Sequence, residues 1–191
     1  MNVTDAIKAR RAYRSLDPVE ITDELIRDLA THAGLSASCN NNQPWHFAFI
    51  RDGEMLAKIH PLLPAGNRWM QQSSMIVAVF SRPGNDCIVK DRVYYLFDTG
   101  MATAFLILRA TELGLVAHPV AGYDEPAIKQ LLGIPPEYQL ITLINVGKHS
   151  NTVSSLLSEK QVASERQRPP RKAFDEYAYI DKMPRREDSA A

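Results

Sequence analysis

The chain has 191 residues, of which 45% are hydrophobic and 23% charged, the ordinary proportions of one globular domain. Its 22 Lys and Arg balance 22 Asp and Glu, so the formal net charge is zero, which excludes a general nucleic-acid or membrane-surface binder that would need a basic surplus. Two cysteines, Cys39 and Cys87, could pair in principle but suggest no disulfide framework and no zinc spacing; they are read as reduced thiols of a cytoplasmic protein, and no metal is expected.

The opening stretch "MNVTDAIKARRAYRSL" is basic and amphipathic without a long apolar run, so it is expected to be a structural helix and not a secretory leader. Asn2 can cap it, Asp5 falls in its first turn, and Val3, Ala6 and Ile7 form its apolar stripe. The helix is expected to persist towards the Asp17-Pro18 break. Arg10 and Arg14 would then crowd each other one turn apart, a cost that an anion between them would reverse. Thr22 is expected to cap a second helix ending at Gly34.

The stretch "SCNNNQPWHFAFI", residues 38–50, follows: an amide-rich loop runs through Pro44 into an apolar strand at 46–50. Asp52-Gly53 reads as a turn, with a short helix over 54–60. "MIVAVF", residues 75–80, has the continuous apolar pattern of a strand covered on both faces. Residues 93–114 are apolar nearly all round and long, which predicts a buried central helix carrying one lone acid, Asp98, read as a paired structural group. "LVAHPVAG" is expected to be a short strand, "DEPAIKQLLG" a helix closed by Gly133, and "YQLITLINVG" another strand.

After Gly147 the composition turns polar and charged, so residues 148–191 cannot form their own core. Phe174, Tyr177, Tyr179 and Ile180 are spaced as anchors, which points to an arm docked on a second copy of the chain, with a disordered tail as the alternative. A second basic cluster, Arg166, Arg168, Arg171 and Lys172, mirrors Lys8, Arg10, Arg11 and Arg14 at the other end. Either cluster alone is an ordinary solvated face; together they would grip a multivalent anion. No nucleophile constellation, paired-carboxylate motif, GxGxxG or P-loop is present. Chemistry in such a chain falls to a bound cofactor.

Five segments in order resemble the FMN-dependent nitroreductase family. They are "ARRAYRSLDP", "SCNNNQPWHF", "DTGMATAFLILRATELGL", "LLGIPPEYQLITLINVGK" and "RQRPP". The resemblance implies an α+β fold, a nitroreductase-like α-β-α sandwich with a central, mainly antiparallel sheet, in an intertwined homodimer. Residues 1–147 would form the FMN-binding domain, and 148–191 its C-terminal arm, wrapping the partner subunit.

The activity so implied is that of an enzyme, an FMN-dependent NAD(P)H oxidoreductase. It would work by ping-pong hydride transfer from NADH or NADPH through flavin N5 to an acceptor such as a nitroaromatic or quinone. A reductive dehalogenase-type reaction, or a flavin-binding redox sensor or non-catalytic module, are the alternatives.

By the same resemblance Arg10 would hold phosphate and ribityl oxygens, with Arg11 and Ala12 beside it. Arg14 would face the flavin N1–C2=O edge, and Arg166 and Arg168 would grip the phosphate. Ala37, Ser38, Cys39 and Asn41 would pack on the partner's flavin. Asn67 would reach the pyrimidine edge, and Val120, Ala121 and Gly122 would lie along the ring. No side chain is expected to be catalytic in itself; Arg14 and Gly122 would tune the flavin. The chain departs from the family pattern at Ala12, usually Ser, at Met70, a second cation in some members, and at Ala121, an acid in nitroaromatic reducers. Neither nucleic acid nor membrane is expected as a partner.

Overall fold

The computed structural model describes residues 1–183; residues 184–191 of the expected arm lie outside the described residues. Helix α1 spans Val3–Ala9, and the Asn2 side chain accepts the Asp5 N–H as its cap. It ends well short of Pro18, so Arg10 and Arg14 are not a helical pair, against expectation. The helix closes with the Arg10 N–H on the Ala6 carbonyl, and the chain beyond it is held by other partners. Arg14 and Ser15 donate to the Glu165 carboxylate, and β1, Leu16–Asp17, pairs antiparallel with the last strand.

Helix α2 covers Asp23–Gly34 under a Thr22 cap. Strand β2 is His46–Ile50. Asp52 does more than turn the chain: its side chain caps α3, Gly53–Ile59, by accepting the Met55 N–H. A 3₁₀ segment over Ala65–Gln72 leads into β3, Met75–Ser81. A two-stranded ribbon, β4 at Ile88–Val89 and β5 at Arg92–Val93, precedes α4, Tyr95–Glu112. Strand β6, Val116–Val120, helix α5, Glu125–Leu132, and strand β7, Gln139–His149, follow. Helix α5 closes on Gly133 in the left-handed conformation that glycine adopts without strain. Helix α6, Glu159–Arg166, opens with a Ser158–Gln161 capping box.

The main sheet is antiparallel. β7 pairs with β3 along one edge and with β6 and then β1 along the other, while β2 lies outside β3. The period-2 geometry of strands divides the apolar run of β3 between two cores. Ile76 and Ala78 join Leu56, Ile59, Trp69, Met70 and Ile128 under α3 and α5. Met75, Val77 and Val79 join Leu29, Leu106 and Ala110 under α2 and α4. Each fully buried aliphatic side chain contributes about 1.5–3 kcal/mol, so this strand is the spine of an α-β-α sandwich.

Candidate functional site

The two basic clusters meet. Arg10, Arg11, Ala12 and Arg14 line one cleft with Ser164, Arg168, Pro169 and Arg171, enclosing about 190 Å³. Three backbone anchors hold the walls together. Arg168 donates to the carbonyls of Lys8 and Arg10 at 2.7 and 2.8 Å. Arg11 donates to those of Ser164 and Glu165 at 2.8 and 3.1 Å. Glu165, only 6% exposed, binds the backbone N–H groups of Arg14 and Ser15 at 3.0 Å each.

Among the described residues no carboxylate forms an ion pair with Arg10, Arg14, Arg168 or Arg171. Burial holds the Arg10 pKa below its ordinary value, and the Arg168 and Arg171 charges depress it further. Crowded guanidinium groups without acidic partners are the electrostatic complement of a phosphate dianion. Arg166, expected in this grip, lies exposed at the end of α6 and outside the cleft lining. Arg171 lines it instead.

Arg14 continues from this cleft towards a stack of rings. Its guanidinium stands 5.7 Å from the Trp69 ring centroid, and Trp69 stacks on His118 at 4.8 Å. Burial chiefly lowers the Arg14 pKa, while Glu165 opposes the shift. His118 is buried on β6, and its Nδ1–H donates to the Tyr13 carbonyl at 3.1 Å. Burial pushes its pKa down to about 4, with Arg14 and Arg10 assisting, so the ring is neutral near pH 7. Sequence reasoning set His118 aside as isolated; its signal is only its place on an apolar strand two residues before Val120.

Strand β6 delivers Val120 into the core and leaves Ala121 exposed. Asn67 then donates through Nδ2 to the Gly122 carbonyl at 2.8 Å. A Cβ at Gly122 would come within 3.0 Å of that same Nδ2 and 3.3 Å of Pro64 Cγ. A side chain there would press on the Asn67 amide, which would have to shift by a few tenths of an ångström to admit it. Asn67 and Trp69 share one 3₁₀ segment, whose Gly66 carbonyl accepts from Gln161 of α6. Met70, expected beside the site where a cation would stand, is wholly buried in the core and spends its thioether on packing.

The amide loop lies at other elements. Ser38 Oγ accepts the Gln43 N–H at 2.9 Å, and Cys39 N–H donates to Asp98 at 2.7 Å. Cys39 is bonded to Cys87, which corrects the reading of both as reduced thiols. The pairing is invisible in sequence because 48 positions separate two otherwise unmarked cysteines. Asp98 is 2% exposed and forms no ion pair among the described residues. Burial raises its pKa, and the adjacent Asp86 adds to the shift against the Cys39 N–H. Ala37 and Asn41 are exposed on this loop. Its side-chain partners outside the loop lie at Asp86, Cys87 and Asp98, none of which lines the arginine cleft.

Comparison with known proteins gives this geometry a family. The nitroreductase family model matches residues 7–75 and 65–148. A protein of Archaeoglobus fulgidus, provisionally named an NADH dehydrogenase/NAD(P)H nitroreductase, is 30% identical over 145 residues, covering 74% of this chain and 82% of its own. A solved oxidoreductase whose description states that it contains FMN superposes with a TM-score of 0.82 at 24% identity, over 96% of this chain and 94% of that one. An iodotyrosine deiodinase of Daphnia pulex is 23% identical over 167 residues, 72% of this chain and 56% of its length. Among the described residues no helix is long and apolar enough to cross a membrane. With the family match running through the arginine segment, the amide loop, α4 and β7, this chain belongs to the nitroreductase family.

Proposed function

We propose that the protein is an FMN-dependent NAD(P)H oxidoreductase acting as a homodimer in the cytoplasm, with residues 148–191 as the arm of one domain. The observation that carries the reading is the convergence of Arg10, Arg14, Arg168 and Arg171, without ion-pair partners among the described residues, beside the close Asn67–Gly122 approach. The first feature suits a phosphate, and the second suits a flat ring laid against backbone. Absence of a dinucleotide fingerprint favours FMN over FAD.

When bound, FMN would supply the two-electron chemistry that links NADH or NADPH to an acceptor such as a nitroaromatic or quinone. The chain's own residues bind and tune. Arg10 and Arg168 hold the phosphate, with Arg11 fixing the cleft wall and Arg166 at its outer margin. Arg14 would offer its half-buried positive charge to the flavin's pyrimidine side, where negative charge grows on reduction. Neutral His118 fixes the Tyr13 carbonyl and, with Trp69, supports Arg14 from below. Asn67 orients Gly122, so that Val120, Ala121 and Gly122 present backbone to the ring. Ala37, Ser38, Cys39 and Asn41 would pack on the partner's flavin, the exposed Asn41 amide bringing an uncharged polar group to it.

The deiodinase relative favours one second reading, reductive dehalogenation on the same site. Purified protein should release FMN on heating and bleach under NADH or NADPH without oxygen. Reoxidation by a nitroaromatic, a quinone and a halogenated phenol then separates the reactions. Released FAD, or a colourless protein that cannot take up FMN, would refute the assignment.

A further inference from the structure

The amide loop and the β4–β5 ribbon are distant in sequence and are joined in space by the Cys39–Cys87 bond. Two loop amides, Asn40 Nδ2 and Asn42 Nδ2, donate to Cys87 Sγ at 3.4 Å each, and Asn42 Nδ2 also donates to Asp86 at 3.3 Å. Within the loop Asn40, Asn41 and Gln43 hold φ of 50°, 57° and 48°. Three non-glycine residues in the left-handed region persist only where their surroundings over-determine them. The covalent tie and the Cys39 N–H···Asp98 bond are what over-determine this loop. Both sulfurs belong to partly exposed residues at its edge.

We propose that the Cys39–Cys87 pair is a redox-modification site for a dithiol, through which the amide loop switches between a pinned and a loosened state. This rests on the reading of that loop as a wall of the flavin pocket. A dithiol thiolate attacks Cys39 Sγ, forming a mixed disulfide and breaking the Cys39–Cys87 bond. Cys87 leaves as the thiolate, which two side-chain amide N–H groups face while the nearby Asp86 carboxylate opposes its charge, and it then takes a proton from water. The reagent's second thiolate attacks the mixed disulfide and releases Cys39, which is protonated in turn. The pair gains two electrons and two protons, and the dithiol becomes a disulfide; the reverse exchange restores the bond.

Reduction leaves the Asp98 and Ser38 contacts in place, so the loop loosens without unfolding the sheet. In a reducing compartment such bonds are transient and serve as sensors. Loosening should change the fit of the acceptor more than the hold on FMN, whose phosphate grip lies elsewhere.

The test uses full-length, FMN-loaded protein purified without reductant and exposed to oxidised dithiothreitol. Half is then treated with reduced dithiothreitol, and both halves are alkylated and weighed. The expected result is no alkylated cysteine before reduction and two after. Amide hydrogen exchange across residues 38–43 should rise at least tenfold on reduction, and the acceptor KM should change at least threefold with FMN retained. A Cys87→Ser holoprotein should exchange at the loosened rate with or without dithiothreitol.

Two alkylated cysteines after the oxidising treatment would overturn the proposal. So would identical exchange of the loop in both states, or a Cys87→Ser protein that still responds. A protein that fails to bind FMN refutes the flavin reading, while its exchange and alkylation results still decide the switch.

Discussion

Arg14 stands half-buried over Trp69 and forms no ion pair among the described residues. Replacing it with Met keeps much of the stem's packing and removes the charge. FMN should remain bound, since Arg10 and Arg168 are untouched, and the flavin's reduction potential should fall by roughly 30 mV or more, one tenfold step of a two-electron equilibrium. Spectroelectrochemistry decides it; an unmoved potential would remove Arg14 as the flavin's electrostatic partner. His118 gives a stability test. Its folded pKa is about 4 against 6.5 for the free group. Between these values the unfolded chain binds the proton and the folded chain does not, so stability is full above about pH 6.5 and is lost as pH falls towards 4. The span corresponds to a loss on the order of 3 kcal/mol. Urea unfolding at pH 7 and pH 4.5 should show it, and His118→Gln should flatten the difference. Equal slopes for the two proteins would mean that another group controls the acid limb.

At the level of elements, α6 and the segment after α1 form a clasp whose pin is Glu165. Glu165→Ala would strip two buried backbone N–H groups of their acceptor, at about 1–3 kcal/mol each. Expected outcomes are a fall of roughly 2–4 kcal/mol in urea unfolding and weaker FMN uptake in titration, with Glu165→Gln intermediate because its amide oxygen still accepts. Unchanged FMN affinity in the alanine variant would uncouple the clasp from the site. This clasp marks where the sequence stops being legible. Local signals were readable: the Asn2 and Thr22 caps, the apolar run of β3, the length of α4, the glycine stop of α5. Each is written within a few neighbouring residues. The early end of α1 was not readable, because no glycine or proline marks it and the carboxylate that holds the Arg14 N–H beyond it lies 151 positions away. A separation of 48 positions likewise hid the Cys39–Cys87 bond, and which arginines of the late cluster line the cleft depends on where α6 ends. The arginine clusters were visible as clusters, and only the fold could bring them together.

The whole molecule leaves apolar surface without an occupant among the described residues. Phe97 on α4 is 63% exposed, and Phe174 and Tyr177 on the arm are 63% and 65% exposed. Val3 and Ile7 of α1, Leu35 and Phe105 are exposed as well, and Leu35 and Phe105 line an apolar groove between α1 and α4 with Val3. Surface of this kind, on a helix that is already the centre of one core, is what an obligate homodimer buries. Among the described residues, the side chains that bond the amide loop, Asp86, Cys87 and Asp98, do not line the arginine cleft, a separation that a flavin bound between two subunits would resolve. Multi-angle light scattering of the flavin-loaded protein should therefore report twice the chain mass at micromolar concentration. Phe97→Asp on α4 should shift the mass towards the monomer and release FMN together with it. Phe174→Ser with Tyr177→Ser should weaken the dimer while leaving β-sheet circular dichroism intact, because the arm contributes no strand to the described sheet. A flavin-loaded wild-type monomer would end the dimer proposal and, with it, the assignment of the amide loop to a partner's flavin.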